Sequence, residues 1–224
     1  MSPDTLSLAG KTAIVTGSGK ENGIGAAIAR ALARNGSNVA MHYVSQGSKI
    51  RAENLAESIR REYGTKVTVL QGEVKDEEVA RGMIKQVMEE LGVERVDVLG
   101  MYTSSTSTPI STSLWPSSPQ LTYPRFVVVN NAATASNNSL LAATKPQLEH
   151  EFAVNVFGPV YLIQAVVDVG RMPKGGRIIN IGSIASKLLI GPGVYGMTKA
   201  AMDAMTTFAA AEVSALVIFG VQRC

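Results

Sequence analysis

The stretch from Thr12 to Gly36 constrains the fold of this 224-residue chain more than any other. Thr12-Ala-Ile-Val-Thr16 is a short apolar run of the kind that forms a buried strand in a parallel sheet. Gly17 opens a turn, Ser-Gly-Lys-Glu-Asn, that leads into Gly23-Ile24-Gly25. The alanine-rich segment that follows has helical spacing and closes on Gly36, a suitable C-terminal cap. Strand, glycine turn and helix in that order are what a dinucleotide site requires. The glycines let backbone approach a pyrophosphate, and the helix N-terminus offers unpaired N–H groups at the positive end of its dipole. Gly17, Ser18, Lys20, Asn22, Gly23, Ile24 and Gly25 are therefore candidate cofactor contacts. The turn is not a Walker loop, because no Gly-Lys-Ser/Thr with a glycine five residues before the lysine is present.

A second strand is expected at Asn38–Tyr43, a helix over residues 50–63, a third strand at Lys66–Gln71 and a helix from Asp76 to Gly92. The end of the second strand selects between cofactors. An NAD site places Asp or Glu there, against the ribose 2′-hydroxyl. Here Tyr43 takes that place, followed by Ser45, with Lys49 and Arg51 close behind and Lys20 in the glycine turn. Positive charge without an acid favours a 2′-phosphate, so NADP(H) is expected over NAD(H). Taken singly, Lys49 and Arg51 are equally at home decorating the next helix. His42 reads as a strand side chain and His150 as a helix-surface residue. Neither has partners at metal-ligand spacing, so no metal site is expected.

The chemistry is concentrated between Arg177 and Ala201. An apolar run ending at Ile181 reads as another buried parallel strand, and Ser183 follows at its carboxyl end. Tyr195 comes twelve residues after Ser183, and Lys199 four after that, one helical turn along the same face. Tyr and Lys at this spacing are commonly just a surface pair lying along apolar ground. The strand and serine before them lift this pair above that reading. Open α/β sheets bind ligands outside the carboxyl ends of their strands. Hydroxyl, phenol and ammonium would thus meet over one crevice, a site for moving a proton to or from a carbonyl oxygen.

Ser183 with Tyr195-Gly-Met-Thr-Lys199 resembles the active site of the classical short-chain dehydrogenase/reductase family, and the resemblance covers roughly residues 8–99 and 129–212. The family's Thr-Gly-x3-Gly-x-Gly turn is two residues longer here between Gly17 and Gly23, where Gly19 and Asn22 tolerate unusual dihedrals. Asn130-Asn131-Ala132-Ala133 is similar to its Asn-Asn-Ala-Gly motif, with Ala133 in place of glycine. Glu73, before Val74, stands where the family has an acid, usually Asp, near the adenine. Asn155, in a long helix expected from Pro146 to Arg171, matches the family's fourth catalytic residue. It would hold a water that relays protons to Lys199; an isolated helical Asn would instead bond a neighbouring carbonyl.

The resemblance implies an α/β fold, a doubly wound Rossmann-type parallel sheet with helices on both faces, and a homo-oligomer packed through the long helices. It also implies an NADP-linked oxidoreductase that reduces a ketone, of 3-oxoacyl or polyketide type, to an alcohol. Tyr195 would donate the proton. A phenol, ordinarily with a pKa of about 10, is a weak acid–base at neutral pH, and nearby positive charge favours phenolate. Lys199 would supply that charge and hold the ribose hydroxyls, and Ser183 would hydrogen-bond the substrate oxygen. Asn131, Ala132, Ala133, Tyr195 and Lys199 complete the implied cofactor contacts.

Hydrophobic content of 46% against 17% charged residues fits one well-buried domain spanning residues 1–224. A net charge of +3, with no basic run interleaved by aromatics, argues against nucleic acid as a partner. The single cysteine, Cys224, permits no intrachain disulfide and suits a reducing compartment. The N-terminus lacks the apolar core of a signal peptide and no uninterrupted apolar run approaches membrane-spanning length, so a cytoplasmic location without membrane contact is expected.

Two stretches depart from this pattern. After Val96-Asp-Val-Leu99, 29 residues (100–128) dense in Ser, Thr and Pro interrupt the domain, and a structureless loop of that length argues against native architecture. After Glu212 the chain runs VSALVIFGVQRC and stops, so the last strands and the substrate-covering loop are expected to be missing. We read both stretches as translated introns. Gly100-Met-Tyr can be encoded GGTATGTAY and Val213-Ser GTGAGT, each containing a donor splice signal. A spliced transcript that still encodes both would refute this. The fourth strand must lead directly into Asn130, so Phe126–Val129 is expected to fill its slot in place of Val96–Leu99; the alternative keeps Val96–Leu99 paired and lets the insert bulge out. The alternative for the whole chain is a catalytically inactive remnant of the fold that at most binds dinucleotide.

Overall fold

The computed structural model describes residues 7–94, 127–172, 176–188, 190–213 and 217–222. The inserted residues 100–128 lie outside these except for Val127 and Val128, as does Val96–Leu99. The strands are β1 (Thr12–Val15), β2 (Asn38–Tyr43), β3 (Val67–Gln71), β4 (Val127–Asn130), β5 (Gly176–Ile181) and β6 (Val217–Gln222). They form one sheet in the order β3-β2-β1-β4-β5-β6, and every neighbouring pair is parallel. The chain moves outward from β1 to β3, then crosses back to β4 on the other side of β1. This is the doubly wound arrangement, and its switch point lies between β1 and β4.

The strands alternate their apolar residues between two cores because successive side chains point to opposite faces. Ala13, Val15, Val39, Met41, Val67, Val129 and Ile181 pack under α1 (Ile24–Arg34) and α2 (Lys49–Tyr63). Ile14, Ala40, Leu70, Val128 and Ile178 pack on the other face, against α3 (Glu77–Leu91) and the long helical segment after β4. With both faces covered, continuous apolar runs rather than alternating ones are what the strands need. Helix α1 turns Ala26, Ala29 and Ala33 to the sheet, small side chains that let it lie close over the glycine turn. Helix α3 begins where Asp76 accepts a hydrogen bond from the Val79 N–H (3.0 Å) and ends at Gly92, whose φ of 67° suits a residue without Cβ.

The fourth slot is filled as expected from the residues just before Asn130. Val127–Asn130 pairs with β1 on one side and β5 on the other. The C-terminal residues depart from expectation. Val217–Gln222 adds a strand, β6, in register with all of β5 from Gly176↔Val217 to Ile181↔Gln222. Its Val-Ile-Phe run has high β propensity, and the otherwise unpaired edge of β5 offers it a ladder.

The long helix predicted from Pro146 to Arg171 is interrupted. It consists of α4 (Lys145–Phe152), a π-helical turn (Ala153–Phe157) and α5 (Gly158–Asp168). Helix α6 (Gly193–Val213) carries Tyr195 and Lys199. It is tied to the sheet by a buried polar chain: Asn130 Nδ2 donates to Asn180 Oδ1 (2.7 Å), and Asn180 Nδ2 donates to Thr206 Oγ1 (2.8 Å). Among the described residues no helix is long and apolar enough to cross a membrane.

Candidate active site

A crevice of about 410 Å3 opens over the carboxyl ends of the central strands. Its walls are the loops that follow them: Gly17 after β1, Val44 after β2, Glu73–Lys75 after β3 and Asn131–Thr134 after β4. Ile24 at the start of α1 closes one end. The glycines along it are sterically required. A Cβ on Gly17, whose φ is +63°, would lie 2.9 Å from Ala132 Cα. A Cβ on Gly25 would lie 2.6 Å from Asn131 Nδ2 and 2.7 Å from the Gly17 oxygen. The loops after β1 and β4 are stitched together at this point. Thr16 Oγ1 accepts from the N–H groups of Asn131 and Ala132 (both 3.0 Å), and Asn131 Nδ2 donates to the Thr16 (2.9 Å) and Gly17 (3.2 Å) carbonyls.

Several expected contacts serve this scaffold instead of facing the crevice. Ser18 is fully buried; its hydroxyl donates to the Val15 carbonyl (2.7 Å) and accepts from the His42 N–H (3.0 Å). Tyr43 is buried as well, with its Cβ packed where a Cβ on Gly19 would come within 2.7 Å, and its hydroxyl reaches Gln71 Oε1 at 3.5 Å. The alternation of β2 directs both His42 and Tyr43 into protein. Ser45 is exposed and shares a hydrogen bond with Ser48 (2.9 Å). Lys20 and Asn22 are exposed on the turn, Lys49 pairs loosely with Glu53 (3.9 Å), and Arg51 donates to Ser48 (3.4 Å). No acid stands at the end of β2, where Tyr43, Val44 and Ser45 follow one another. Glu73 lies at the crevice, exposed and ion-paired with Lys75, while the neighbouring Val74 is buried.

The second group lies at the carboxyl end of β5. Lys199 is 1% exposed, its ammonium donates to the Ile181 carbonyl (2.7 Å), and Nζ sits 5.6 Å from the centre of the Tyr195 ring. Burying an ammonium is costly unless it is hydrogen-bonded, and the strand end and the ring supply part of what offsets that cost. Ser183 caps a 3-10 turn, Ile184–Ser186, by accepting the Ala185 N–H (3.2 Å). That turn rests directly on α6: a Cβ on Gly196 would lie 3.0 Å from the Ala185 carbonyl. The serine turn and the helical turn carrying Tyr195 are therefore in contact, with Lys199 beneath.

Asn155 is fully buried in the π turn, and its side-chain amide bonds other protein groups. Oδ1 accepts from the Thr134 N–H (2.8 Å), and Nδ2 donates to the Thr134 carbonyl (2.8 Å) and to Thr198 Oγ1 (2.9 Å). Thr198 in turn donates to the Tyr195 carbonyl (2.8 Å). Asn155 thus links the loop after β4 to the backbone of the Tyr195 turn. His150 in α4 and Val154 in the π turn line the crevice together with Lys75 and Thr134. The sequence reading places His150 on a helix surface without a role; its i, i+4 spacing to Val154, next to Asn155, is the signal that joins it to the site. Among the described residues no group of three or more His, Cys, Asp or Glu could hold a metal ion.

Fold and crevice define the class first: a doubly wound α/β protein built as dinucleotide-linked oxidoreductases are. Two family models match the chain, short chain dehydrogenase over residues 11–112 and enoyl-(acyl carrier protein) reductase over residues 126–218. L-xylo-3-hexulose reductase of Hypocrea jecorina is 29% identical over 92% of this chain and 62% of its own length. A 3-oxoacyl-(acyl-carrier-protein) reductase of Staphylococcus epidermidis is 30% identical over 91% of this chain and 69% of its own. Among solved structures, a blue fluorescent protein from a metagenomic library in complex with NADPH superposes with a TM-score of 0.73 at 32% identity, covering 93% of this chain and 71% of that one. The chain belongs to the short-chain dehydrogenase/reductase family and spans about two thirds of the length of these curated relatives.

Proposed function

We propose that this chain is an NADP(H)-dependent reductase of a ketone, with Tyr195 exchanging the proton at the carbonyl oxygen. The observation that carries the reading is the buried Lys199 ammonium held beside the Tyr195 ring, with the Ser183 turn resting on the same helix. A positive charge in a protein environment stabilises negative charge building on a neighbouring phenol oxygen far better than it would in water. Tyr195 can then give up and regain its proton as the substrate oxygen needs it. Ser183 is the hydroxyl nearest in the chain to the end of β5 and would hydrogen-bond that oxygen. Asn155 keeps the Tyr195 turn in place through Thr198.

The cradle fits a dinucleotide: Gly17 leaves its backbone exposed at the crevice, and the buried Gly25 lets the turn lie against the start of α1, where a Cβ would collide. Gly17, Ile24, Glu73, Val74 and Asn131–Ala133 would hold it along the crevice. NADP(H), when bound, supplies or takes up the hydride. The preference for the 2′-phosphate rests on the absence of an acid after Tyr43 and on exposed Lys20. The surface around Ser183 and Tyr195 supports an apolar substrate, such as a 3-oxoacyl or polyketide-type ketone: Leu140, Ile184, Leu188, Ile190 and Met197 are all exposed there.

Thermal unfolding with increasing cofactor tests this. NADPH at about a hundred times its Kd stabilises by roughly 2.7 kcal/mol, and its shift is expected to exceed that with NADH. NADPH consumption should follow when a generic diketone is added. No shift with either cofactor overturns the proposal. Stabilisation without consumption of any carbonyl in a panel favours the rival reading, a fold that binds dinucleotide without turning it over.

A further inference from the structure

One heavily bonded residue near the crevice is used by neither the motif nor the mechanism. His42, at the carboxyl end of β2, is fully buried. Its carbonyl accepts the N–H groups of Ser18 (3.0 Å) and Gly19 (3.2 Å), and its own N–H goes to the Ser18 hydroxyl (3.0 Å). Its ring lies between two loops. Nδ1 is 3.1 Å from the Gly17 N–H, and Nε2 is 2.7 Å from the Gly72 carbonyl. These partners determine the tautomer. An amide N–H can only donate, so Nδ1 carries no hydrogen. A carbonyl can only accept, so Nε2 carries one.

We propose that His42 is the positioning residue of the dinucleotide turn: as a neutral Nε2–H imidazole it fixes the Gly17 amide on one side and the Gly72 carbonyl on the other, locking the loops after β1 and β3 into the shape of the crevice. The turn after Gly17 carries two residues more than the family pattern, and the first half of it is bonded back to His42 at Gly17, Ser18 and Gly19. Gly72 immediately precedes Glu73 and Val74, the wall of the crevice on the β3 side. One imidazole therefore sets the separation of the two walls.

The clamp works only while the ring is neutral. A proton on Nδ1 would set a donor against the Gly17 donor. Burial holds the basicity of His42 below the ordinary histidine value, and the bond to Gly72 opposes this in part. The ionisable side chains on the flanking elements include Lys20 and Glu21 in the turn, Tyr43 on β2, and Glu73 with its partner Lys75 after β3. Because the folded state resists a proton that the unfolded chain accepts, stability falls as pH drops below the unfolded histidine value and levels off below the folded one. Closure of the turn on the cofactor follows the same direction.

The inference rests on the cofactor reading above, so its test begins without cofactor. Nitrogen NMR of the imidazoles in the full-length chain should show His42 as the Nε2–H tautomer, titrating below an exposed histidine. The Nδ1–H form, or ordinary titration, overturns the clamp. With NADPH, His42→Asn keeps an acceptor at the place of Nδ1 but gives up Gly72, and should bind about threefold more weakly than wild type. His42→Gln keeps the reach to Gly72 but strands the Gly17 donor, and His42→Leu loses both; each should weaken binding about tenfold or more. Wild-type affinity should also fall at acid pH more steeply than that of His42→Asn, the cofactor's own titration being common to both. Equal affinities across the three variants, or His42→Asn as weak as His42→Leu, overturn the inference. If wild type itself does not bind NADPH, the cofactor reading fails, and the tautomer and the titration still decide the clamp.

Discussion

Tyr195→Phe is expected to lower turnover by roughly a thousandfold while leaving NADPH affinity within a few-fold of wild type. The substitution removes one hydroxyl. The ring that lies over the Lys199 ammonium remains, and the backbone carbonyl that receives Thr198 Oγ1 is unaffected. Folding and the cradle are therefore expected to persist, and the whole effect should fall on proton exchange at the carbonyl oxygen. Steady-state kinetics together with an NADPH titration separate the two quantities. Turnover within tenfold of wild type would remove Tyr195 from the chemistry. A matched collapse of affinity would mean that the phenol holds the cofactor and does not act on the substrate.

The complementary variant removes binding and spares the chemical group. At Gly25 an added Cβ meets Asn131 Nδ2 at 2.6 Å, the Gly17 oxygen at 2.7 Å and Ser18 Cα at 2.9 Å. Two of these are backbone and cannot swing aside, and the third is the Asn131 amide, which is bonded to Thr16 and Gly17. Gly25→Val must push the turn away from α1 and break the bonds from Asn131 to Thr16 and Gly17. Overpacking costs about 1–3 kcal/mol, and each buried group left unpaired adds about the same. NADPH affinity is expected to fall by roughly a hundredfold or more, with a lowered melting temperature. Gly82, in the middle of α3 with nothing within 4 Å of an added Cβ, is the control. Gly82→Ala should stabilise by up to about 1 kcal/mol and leave binding alone. Calorimetric titration of both variants with NADPH decides it. Wild-type affinity in Gly25→Val would mean that the cradle lies elsewhere.

Much of this architecture is legible in local sequence. The glycine turn stands between strand and helix because each carries its own periodicity, and Val127–Asn130 takes the fourth slot because the residues ahead of Asn131 must be strand. Ser183, Tyr195 and Lys199 are legible because one strand end and one helical turn bring them together. What local sequence hides is where side chains on β2 are aimed. Tyr43 stands at a position that suggests contact with cofactor, yet it is buried, with its hydroxyl reaching toward Gln71, 28 residues away; Ser18, in the turn after β1, is buried as well and accepts the His42 N–H from 24 residues away. His42 reads as an ordinary strand residue because its partners, Gly17 and Gly72, lie 25 and 30 residues away. Asn155 is identified by its motif, but the π turn, which no propensity signals, directs its amide to Thr134 and Thr198. Strand β6 is hidden for another reason: a short, mostly apolar run gains its meaning only from the free edge beside it.

The run of amides from Asn130 through Asn180 to Thr206 bears on how such a protein can change its preferences. Oil-like contacts let a helix slide by fractions of an ångström at little cost, whereas directional bonds in a dry interior tolerate almost no displacement. The rod bearing Tyr195 and Lys199 is thereby keyed to the sheet like a tooth in a rack. Adaptation to a bulkier or differently shaped ketone must then come from the segments around it, at residues 138–142 and 184–188, while the proton-handling group stays where the amides hold it.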